Sequence, residues 1–164
     1  MHINMIKHSY CYDSPIGPIY IAESEAAITD LTMRPVSNST EKETPLISLA
    51  IEMLSEYFEG KRKDFDGLPI NLIGTEFQRK AWNALLTIPY GQTRSYKQQA
   101  EAVGNAKASR AVGAANGKNP ISIIVPCHRV IGSDNALVGY AGGLDVKKTL
   151  LDLERFYCEK KFLM

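Results

Sequence analysis

The chain has 164 residues, of which 45% are hydrophobic and 23% are charged. This balance is typical of a folded globular protein and excludes a disordered or fibrous chain. No stretch near either end is long and apolar enough for a membrane span or a signal peptide, so we expect a cytoplasmic protein that does not contact a membrane.

Three cysteines, Cys11, Cys127 and Cys158, form an odd and sparse set. They are too few for a disulfide framework, and no CxxC pair or Cys/His cluster has the spacing of a zinc site. We therefore predict no bound metal. In a reducing compartment each cysteine can persist as a free thiol, which permits a cysteine nucleophile without demonstrating one.

Charge is distributed unevenly along the chain. Residues 1–73 hold 6 Lys and Arg against 11 Asp and Glu, whereas residues 74–164 hold 13 against 7, and the whole chain has a net charge of +1. An acidic first half and a basic second half indicate two domains, 1–73 and 74–164, of which the second would bind a polyanion. Two surfaces that differ only in their solvation would give the same counts.

The first 73 residues predict a small α/β domain with antiparallel strands and a helix. Residues 17–23 and 28–34 mix β-branched and aromatic residues with polar ones around a short turn, which is typical of neighbouring strands. The polar stretch 37–44 predicts a loop. Pro45 then begins a helix that Gly60 ends. Helical spacing predicts an apolar face made of Leu46, Leu49, Ile51, Leu54, Tyr57 and Phe58.

Residues 74–164 predict a mostly helical domain. Thr75 and Gln78 have the spacing of a capping box at the start of a helix. Two further helices, 95–103 and 107–116, are joined by a glycine-containing turn and resemble a helix-turn-helix. A buried strand is predicted next, then a glycine-rich loop and a final amphipathic helix; their ranges are 121–125, 139–143 and 144–157.

The 107–116 helix carries small residues and one long cation, Arg110. Small side chains would let this helix approach DNA closely, with Arg110 in the middle of the contacting face. The alternative is a helix packed tightly on its own core, with Arg110 solvated. The small residues assigned to the DNA-facing surface are Ala108, Ala111, Ala114 and Ala115.

Cys127 directly follows the apolar run that predicts the buried strand. A cysteine in such a place is commonly an inert core residue, but the adjacent His128 can remove the thiol proton directly or through a water. Glu154 could hydrogen-bond the imidazole, and Asn119 could hold nearby backbone groups. This set satisfies the need for an activated thiolate. By residue types alone, a cysteine hydrolase fits equally well.

The motifs around Cys127 resemble those of the methylated-DNA–protein-cysteine methyltransferases, also called O6-alkylguanine-DNA alkyltransferases. The resemblance extends in order from Thr75 to Glu154, and the first 73 residues match only loosely. It is carried by Phe77-Gln78, Trp82, Ile88-Pro89-Tyr90-Gly91, Ser95-Tyr96, Arg110-Ala111-Val112-Gly113, Asn119-Pro120, Pro126-Cys127-His128-Arg129-Val130 and Gly139-Tyr140-Ala141-Gly142-Gly143.

This resemblance implies an α+β fold with a winged helix-turn-helix and a single-turnover DNA repair enzyme that needs no cofactor. The alkyl group of O6-alkylguanine, and of O4-alkylthymine, would move irreversibly to Cys127. A monomer would bind the minor groove of double-stranded DNA, with the damaged base flipped into a pocket. The alternative is a lesion-binding protein without transfer, but related proteins of that kind lack the cysteine that Cys127 supplies.

The resemblance also implies the catalytic roles. Cys127 is the nucleophile and alkyl acceptor, and it is activated by a relay from Glu154 through His128. Asn119 supports the turn that carries the cysteine. Tyr96 helps to rotate the nucleotide and donates a proton to the base, which lowers the barrier to departure of the guanine.

The roles in binding follow in the same way. Arg110 would fill the space that the flipped base leaves in the stack. Backbone groups of Cys127, Val138 and Ala141 would hydrogen-bond the edge of the guanine, and the ring of Tyr140 would lie against its face. Ala141 stands where some relatives have a serine, which removes one hydrogen-bonding side chain from this pocket.

Overall fold

The computed structural model describes residues 6–132 and 137–160. The chain divides into two compact units, Met1–Leu72 and Ile73–Met164. Both contain strands and helices, so the predicted α+β class is confirmed. No helix in the described ranges is both long and apolar enough to span a bilayer. In chain order the elements are β1 (Lys7–Ser14), β2 (Gly17–Ser24), β3 (Ala27–Thr32), β4 (Ser39–Glu41), α1 (Pro45–Phe58), α2 (Glu76–Leu85), β5 (Arg94–Ser95), α3 (Tyr96–Ala102), α4 (Ser109–Gly117), a 3₁₀ turn (Cys127–Arg129), β6 (Val130–Ile131) and α5 (Leu144–Lys160).

The described part of the first unit forms a four-stranded sheet in the order β3-β2-β1-β4. Strand β2 pairs antiparallel with both β1 and β3, whereas β4 runs parallel to β1. The predicted pair of neighbouring strands at 17–23 and 28–34 is confirmed. The prediction of a loop over 37–44 is wrong in part, because β4 lies within this range and pairs with β1. The sequence pattern indicated neither of these two strands.

Helix α1 begins where the sequence predicts. Thr44 Oγ1 accepts a hydrogen bond from Ile47 N at 3.1 Å, and Pro45 occupies the first turn, where a missing N–H costs little. The predicted apolar face is wrong in part, since Leu49 is 41% exposed. The buried face of α1 includes the small Ala50. The predicted face was built from large apolar residues only and therefore omitted this alanine. Its buried residues are Ile47, Ala50, Met53, Leu54, Tyr57 and Phe58.

In the second unit, α2 and α3 both begin at capping boxes. The Thr75 hydroxyl accepts from Gln78 N at 3.1 Å, and Gln78 Oε1 accepts from Thr75 N at 3.0 Å. Ser95 and Gln98 form the same reciprocal pair at the start of α3. These bonds satisfy backbone N–H groups that the first turn of a helix leaves free. The predicted start at Thr75 is therefore confirmed.

Helix α4 packs closely on α2 and α3 through small residues. Ala108 and Ala115 are 8% and 3% exposed and belong to a core cluster with Ala81, Ala100 and Val112. Their assignment to the DNA-facing surface is wrong, because small side chains on this face let the helices of the same unit approach one another. A buried amide pair joins α3 to α4, since Gln99 and Asn116 exchange two hydrogen bonds of 2.8 and 2.7 Å. The winged helix-turn-helix that the family resemblance implies stays a prediction.

The buried strand predicted over 121–125 is wrong. All five residues are buried, but the chain turns back on itself: Val125 N donates to Ile121 O at 3.0 Å, and Ile124 N donates to Ser122 O at 2.8 Å. Ile123 has a φ of +70°, which a β-branched residue rarely adopts. A short apolar run indicates burial, but it does not by itself distinguish a strand from a buried turn.

Candidate active site

The buried turn before Cys127 fixes the position of this cysteine. Asn119 braces it, because Asn119 Nδ2 donates to Val125 O at 2.8 Å and Asn119 Oδ1 accepts from Ile121 N at 3.0 Å. Cys127 N donates to the same Val125 carbonyl at 2.8 Å, and the 3₁₀ turn starts at this residue. The cysteine is 7% exposed. Asn119 therefore holds both ends of the segment that delivers the sulfur.

His128 and Glu154 form a buried pair beside the cysteine. His128 Nε2 lies 2.6 Å from Glu154 Oε2. The same carboxylate accepts from Arg129 Nε at 2.8 Å, from Arg129 Nη2 at 3.1 Å and from Gly91 N at 3.2 Å. Arg129 Nη1 donates to Ile88 O at 2.7 Å. The carboxylate is thus surrounded by donors, and the guanidinium beside it compensates its charge.

These contacts fix the protonation of the pair. Burial opposes ionisation of Glu154, but His128 and Arg129 outweigh this effect and hold the pKa of the carboxyl well below its usual range. Burial lowers the pKa of His128, with Glu154 acting in the opposite direction. At neutral pH the carboxylate is ionised and the imidazole is neutral, with its proton on Nε2. Among the described residues no hydrogen-bond partner reaches Nδ1 of His128, so this nitrogen can accept a proton.

Cys127 itself is a protonated thiol in the free protein. Burial raises the pKa of the thiol, although Asn119 and the ammonium group of Lys147 act in the opposite direction. The sequence predicts an activated thiolate, because it shows the neighbours of the cysteine but not its burial. The thiol proton must therefore leave during the reaction rather than before it.

Cys127 lines a small cavity of about 100 Å³. The Tyr96 hydroxyl donates to Val138 O at 3.0 Å. Burial raises the pKa of Tyr96 and of Tyr140, so both phenols keep their protons at neutral pH. The cavity wall therefore offers donors to a ligand. Its lining residues are Tyr96, Gly113, Asn116, Gly117, Cys127, Gly139 and Tyr140.

Some of the predicted site residues line the cavity that contains Cys127, and others lie outside this cavity. Tyr96, Tyr140 and Cys127 share the cavity, whereas Val138 and Ala141 are exposed and do not line it. On α4, three of the residues assigned to the DNA contact are exposed: Arg110, Ala111 and Ala114.

A larger cavity of about 300 Å³ lies elsewhere in the second unit. Glu154 is among its lining residues, together with Gly91 and Arg155, but Cys127 is not. A ligand bound in this cavity would therefore not contact the Cys127 sulfur. The described residues contain no group of three or more His, Cys, Asp or Glu side chains arranged to hold a metal ion.

Two further candidate site residues, Arg129 and Lys147, were not predicted from the sequence. Arg129 directly follows His128. A basic residue next to a predicted His–Glu pair is a sequence signal that indicates a partner for the carboxylate. Lys147 lies in α5 with a side chain that is 0% exposed, and nothing in the local sequence distinguishes it from Lys148. Only the tertiary structure shows that its ammonium group faces the cavity wall.

The fold and the site define a protein in which a mostly helical unit holds a buried cysteine next to a buried His–Glu pair. Residues 6–72 match the family model for the 6-O-methylguanine DNA methyltransferase, ribonuclease-like domain, and residues 76–156 match the model for the DNA binding domain. The chain belongs to the 6-O-methylguanine DNA methyltransferase family. The resemblance predicted from the Cys127 motifs is therefore confirmed.

Individual relatives agree with this assignment over most of their length. The methylated-DNA–protein-cysteine methyltransferase of Mycobacterium leprae is 48% identical over 153 residues, covering 90% of this chain and 92% of the relative. The constitutive enzyme of that name from Bacillus subtilis is 47% identical, with coverages of 91% and 96%. A Mycobacterium tuberculosis OGT solved in complex with DNA aligns with a TM-score of 0.86 at 47% identity, covering 92% of this chain and 94% of that one.

Proposed function

We propose that this protein repairs DNA by transferring the alkyl group of O6-alkylguanine, and of O4-alkylthymine, irreversibly to Cys127. One observation carries the assignment to this residue: the buried Cys127 lines a cavity and directly precedes a neutral His128 that is bonded to an ionised Glu154. The relatives' name, methylated-DNA–protein-cysteine methyltransferase, supplies the substrate class.

The reaction begins with removal of the thiol proton. Nδ1 of His128 accepts it from Cys127, directly or through a water, while Nε2 donates to Glu154. The carboxylate stabilises the imidazolium that forms, and Arg129 keeps that carboxylate ionised and fixed in position. The proton is thus held close to the site for the second half of the reaction.

The transfer step is a displacement at the alkyl carbon. The Cys127 sulfur forms a bond to this carbon, and the carbon–O6 bond breaks with its electron pair remaining on the guanine. Tyr96 donates a proton to the departing base and is reprotonated from the imidazolium. Overall, the thiol proton replaces the alkyl group on guanine. The product is a thioether, so each molecule reacts once and needs no cofactor.

The lesion reaches Cys127 only if the nucleotide leaves the duplex, because the cysteine is buried. We assign the minor-groove contact to the exposed face of α4, with Arg110 filling the vacated space in the stack and a monomer as the binding unit. A damaged, weakly paired base is the least costly to extrude. Keeping Cys127 reduced fits a location in the cytoplasm.

Intact-protein mass after incubation with a duplex containing O6-methylguanine tests this function. The protein should gain one CH₂ unit, and the gain should map to the peptide that contains Cys127. Cys127→Ala should show no gain while still binding the duplex. The matched control is Cys11→Ala, because Cys11 is a free and exposed cysteine of the other unit. A wild-type protein of unchanged mass would reject the proposed function, and a labelled Cys127→Ala would reject Cys127 as the acceptor.

A further inference from the structure

A buried charge lies behind the cavity wall. The Lys147 side chain is 0% exposed, and its Nζ donates to Val130 O at 2.6 Å, to Val138 O at 2.8 Å and to Gly139 O at 3.3 Å. Three carbonyls match the three hydrogens of an ammonium group. Burying a charge is costly unless it is hydrogen-bonded. The three carbonyls offset this cost by accepting from the buried ammonium group.

The three carbonyls belong to two segments that are separate in sequence. Val130 follows the 3₁₀ turn that starts at Cys127, whereas Gly139 lines the cavity and Val138 directly precedes it. Lys147 therefore fastens the wall to the segment that carries the sulfur. The distance between the nucleophile and a bound base depends on this connection.

The Val138 carbonyl is also the acceptor of the Tyr96 hydroxyl, at 3.0 Å. In the proposed function Tyr96 must donate to the base instead. Turning away from Val138 would then break the hydrogen bond that its carbonyl accepts. Lys147 already donates to this oxygen, so Tyr96 can turn to the base while Val138 stays hydrogen-bonded.

We propose that Lys147 is a positioning residue for alkyl transfer, which fixes the Val138–Gly139 wall to Val130 and releases the Tyr96 hydroxyl for the flipped base. This inference rests on the proposed role of Tyr96. The positive charge has a second consequence, because it also favours the thiolate of Cys127. Lys147 does not touch the reacting atoms in either role.

Substitution of two adjacent lysines tests the proposal. Lys147→Met keeps a long side chain but removes the ammonium group, whereas Lys148→Met makes the same change at an exposed lysine that pairs with Asp152. Single-turnover transfer from a saturating methylated duplex should slow by about tenfold or more in Lys147→Met and remain unchanged in Lys148→Met. The dissociation constant for the duplex should stay the same in both.

Two further readouts separate positioning from general loss of structure. Alkylation of Cys127 by iodoacetamide without DNA should require a higher pH in Lys147→Met. In a Tyr96→Phe background, where no hydroxyl has to turn, Lys147→Met should slow transfer much less than in the wild type. Full additivity of the two substitutions would overturn the proposal, as would wild-type transfer by a folded Lys147→Met protein.

A second substitution covers the case in which the Met variant does not fold. Lys147→Gln retains an N–H donor without the charge and should show the same shift in iodoacetamide reactivity and the same dependence on Tyr96. The two proposals fail in different ways. A normal transfer rate in Tyr96→Phe rejects the assigned role of Tyr96. A slow Tyr96→Phe, together with an unchanged iodoacetamide profile and full additivity with Tyr96→Phe in Lys147→Gln, rejects only the role of Lys147.

Discussion

Burial and reactivity act in opposite directions at Cys127. Removing the sulfur from water raises the pKa of the thiol, whereas attack on carbon requires the thiolate. The structure resolves this conflict through His128, whose pKa is lowered by burial and which is therefore a neutral acceptor at physiological pH. Because the raised pKa keeps the free thiol protonated at neutral pH, it reacts slowly with other electrophiles.

This arrangement predicts a specific pH dependence of single-turnover transfer. The ordinary pKa of histidine is about 6.5, and the pKa of His128 lies below it. Protonation of His128 thus occurs only at lower pH, so the wild-type rate should stay level through neutral pH and fall below about pH 6.5. His128→Gln, which has no basic nitrogen, should be slower by about 100-fold or more at pH 7.

The variant should also change the shape of the pH profile. Its rate should rise steadily with pH, because the thiolate must then form by ionisation of Cys127, whose pKa is raised above the ordinary value of 9.0. His8→Gln provides the matched control, since His8 lies in the other unit, and its profile should follow that of the wild type. Parallel profiles for His128→Gln and the wild type would show that His128 is not the base.

At the scale of elements, α4 has a packed face and an exposed face. One face packs through Ala108, Val112 and Ala115 on its neighbours, and the other exposes Arg110 and Ala111. The core side leaves little freedom to rotate the helix, because an alanine-sized gap cannot accept a larger side chain without strain. The exposed face is therefore presented in one orientation.

Arg110→Ala should affect only substrates in which a base must leave the stack. Transfer from a methylated duplex should slow by about tenfold or more, since unstacking a nucleotide costs a few kcal/mol. Attack on the free base O6-benzylguanine should keep its wild-type rate. Arg79→Ala, at an exposed position in α2, is the matched control and should change neither rate. Equal slowing on both substrates in Arg110→Ala would contradict the stacking role.

Local signals in the sequence predicted part of this unit. The Thr75–Gln78 capping box depends on residues three positions apart, so it is visible in the sequence, and the pairing of Glu154 with His128 was implied by the family motifs. Tertiary packing decided the rest. Whether Ala108 faces DNA or its own core depends on α2, and the buried run 121–125 turns because Asn119 braces it. The function of Lys147 depends on carbonyls that no sequence pattern identifies.

At the scale of the whole molecule, opposite charges separate between the two units. The boundary after Leu72 leaves the acidic excess in the first unit and the basic excess in the second. A basic surface attracts the phosphates of DNA by releasing condensed counterions. Exposed lysines lie at both ends of α4, Lys107 before it and Lys118 after it, and they add positive charge next to the exposed face that we assign to the DNA contact.

The affinity for duplex DNA should therefore fall as salt rises, with a linear relation between the logarithms of the two. Each of Lys107→Ala and Lys118→Ala should weaken binding to all sequences alike and reduce the slope of this relation by about 1, since each removes one phosphate contact. Fluorescence anisotropy of a labelled duplex, titrated at several salt concentrations, measures both quantities. Lys61→Ala, which removes an exposed lysine of the first unit, should leave the slope unchanged. If Lys61→Ala lowered the slope as much as Lys107→Ala, net charge rather than contact by the second unit would govern the affinity, and the assignment of the DNA surface to α4 would lose its electrostatic support.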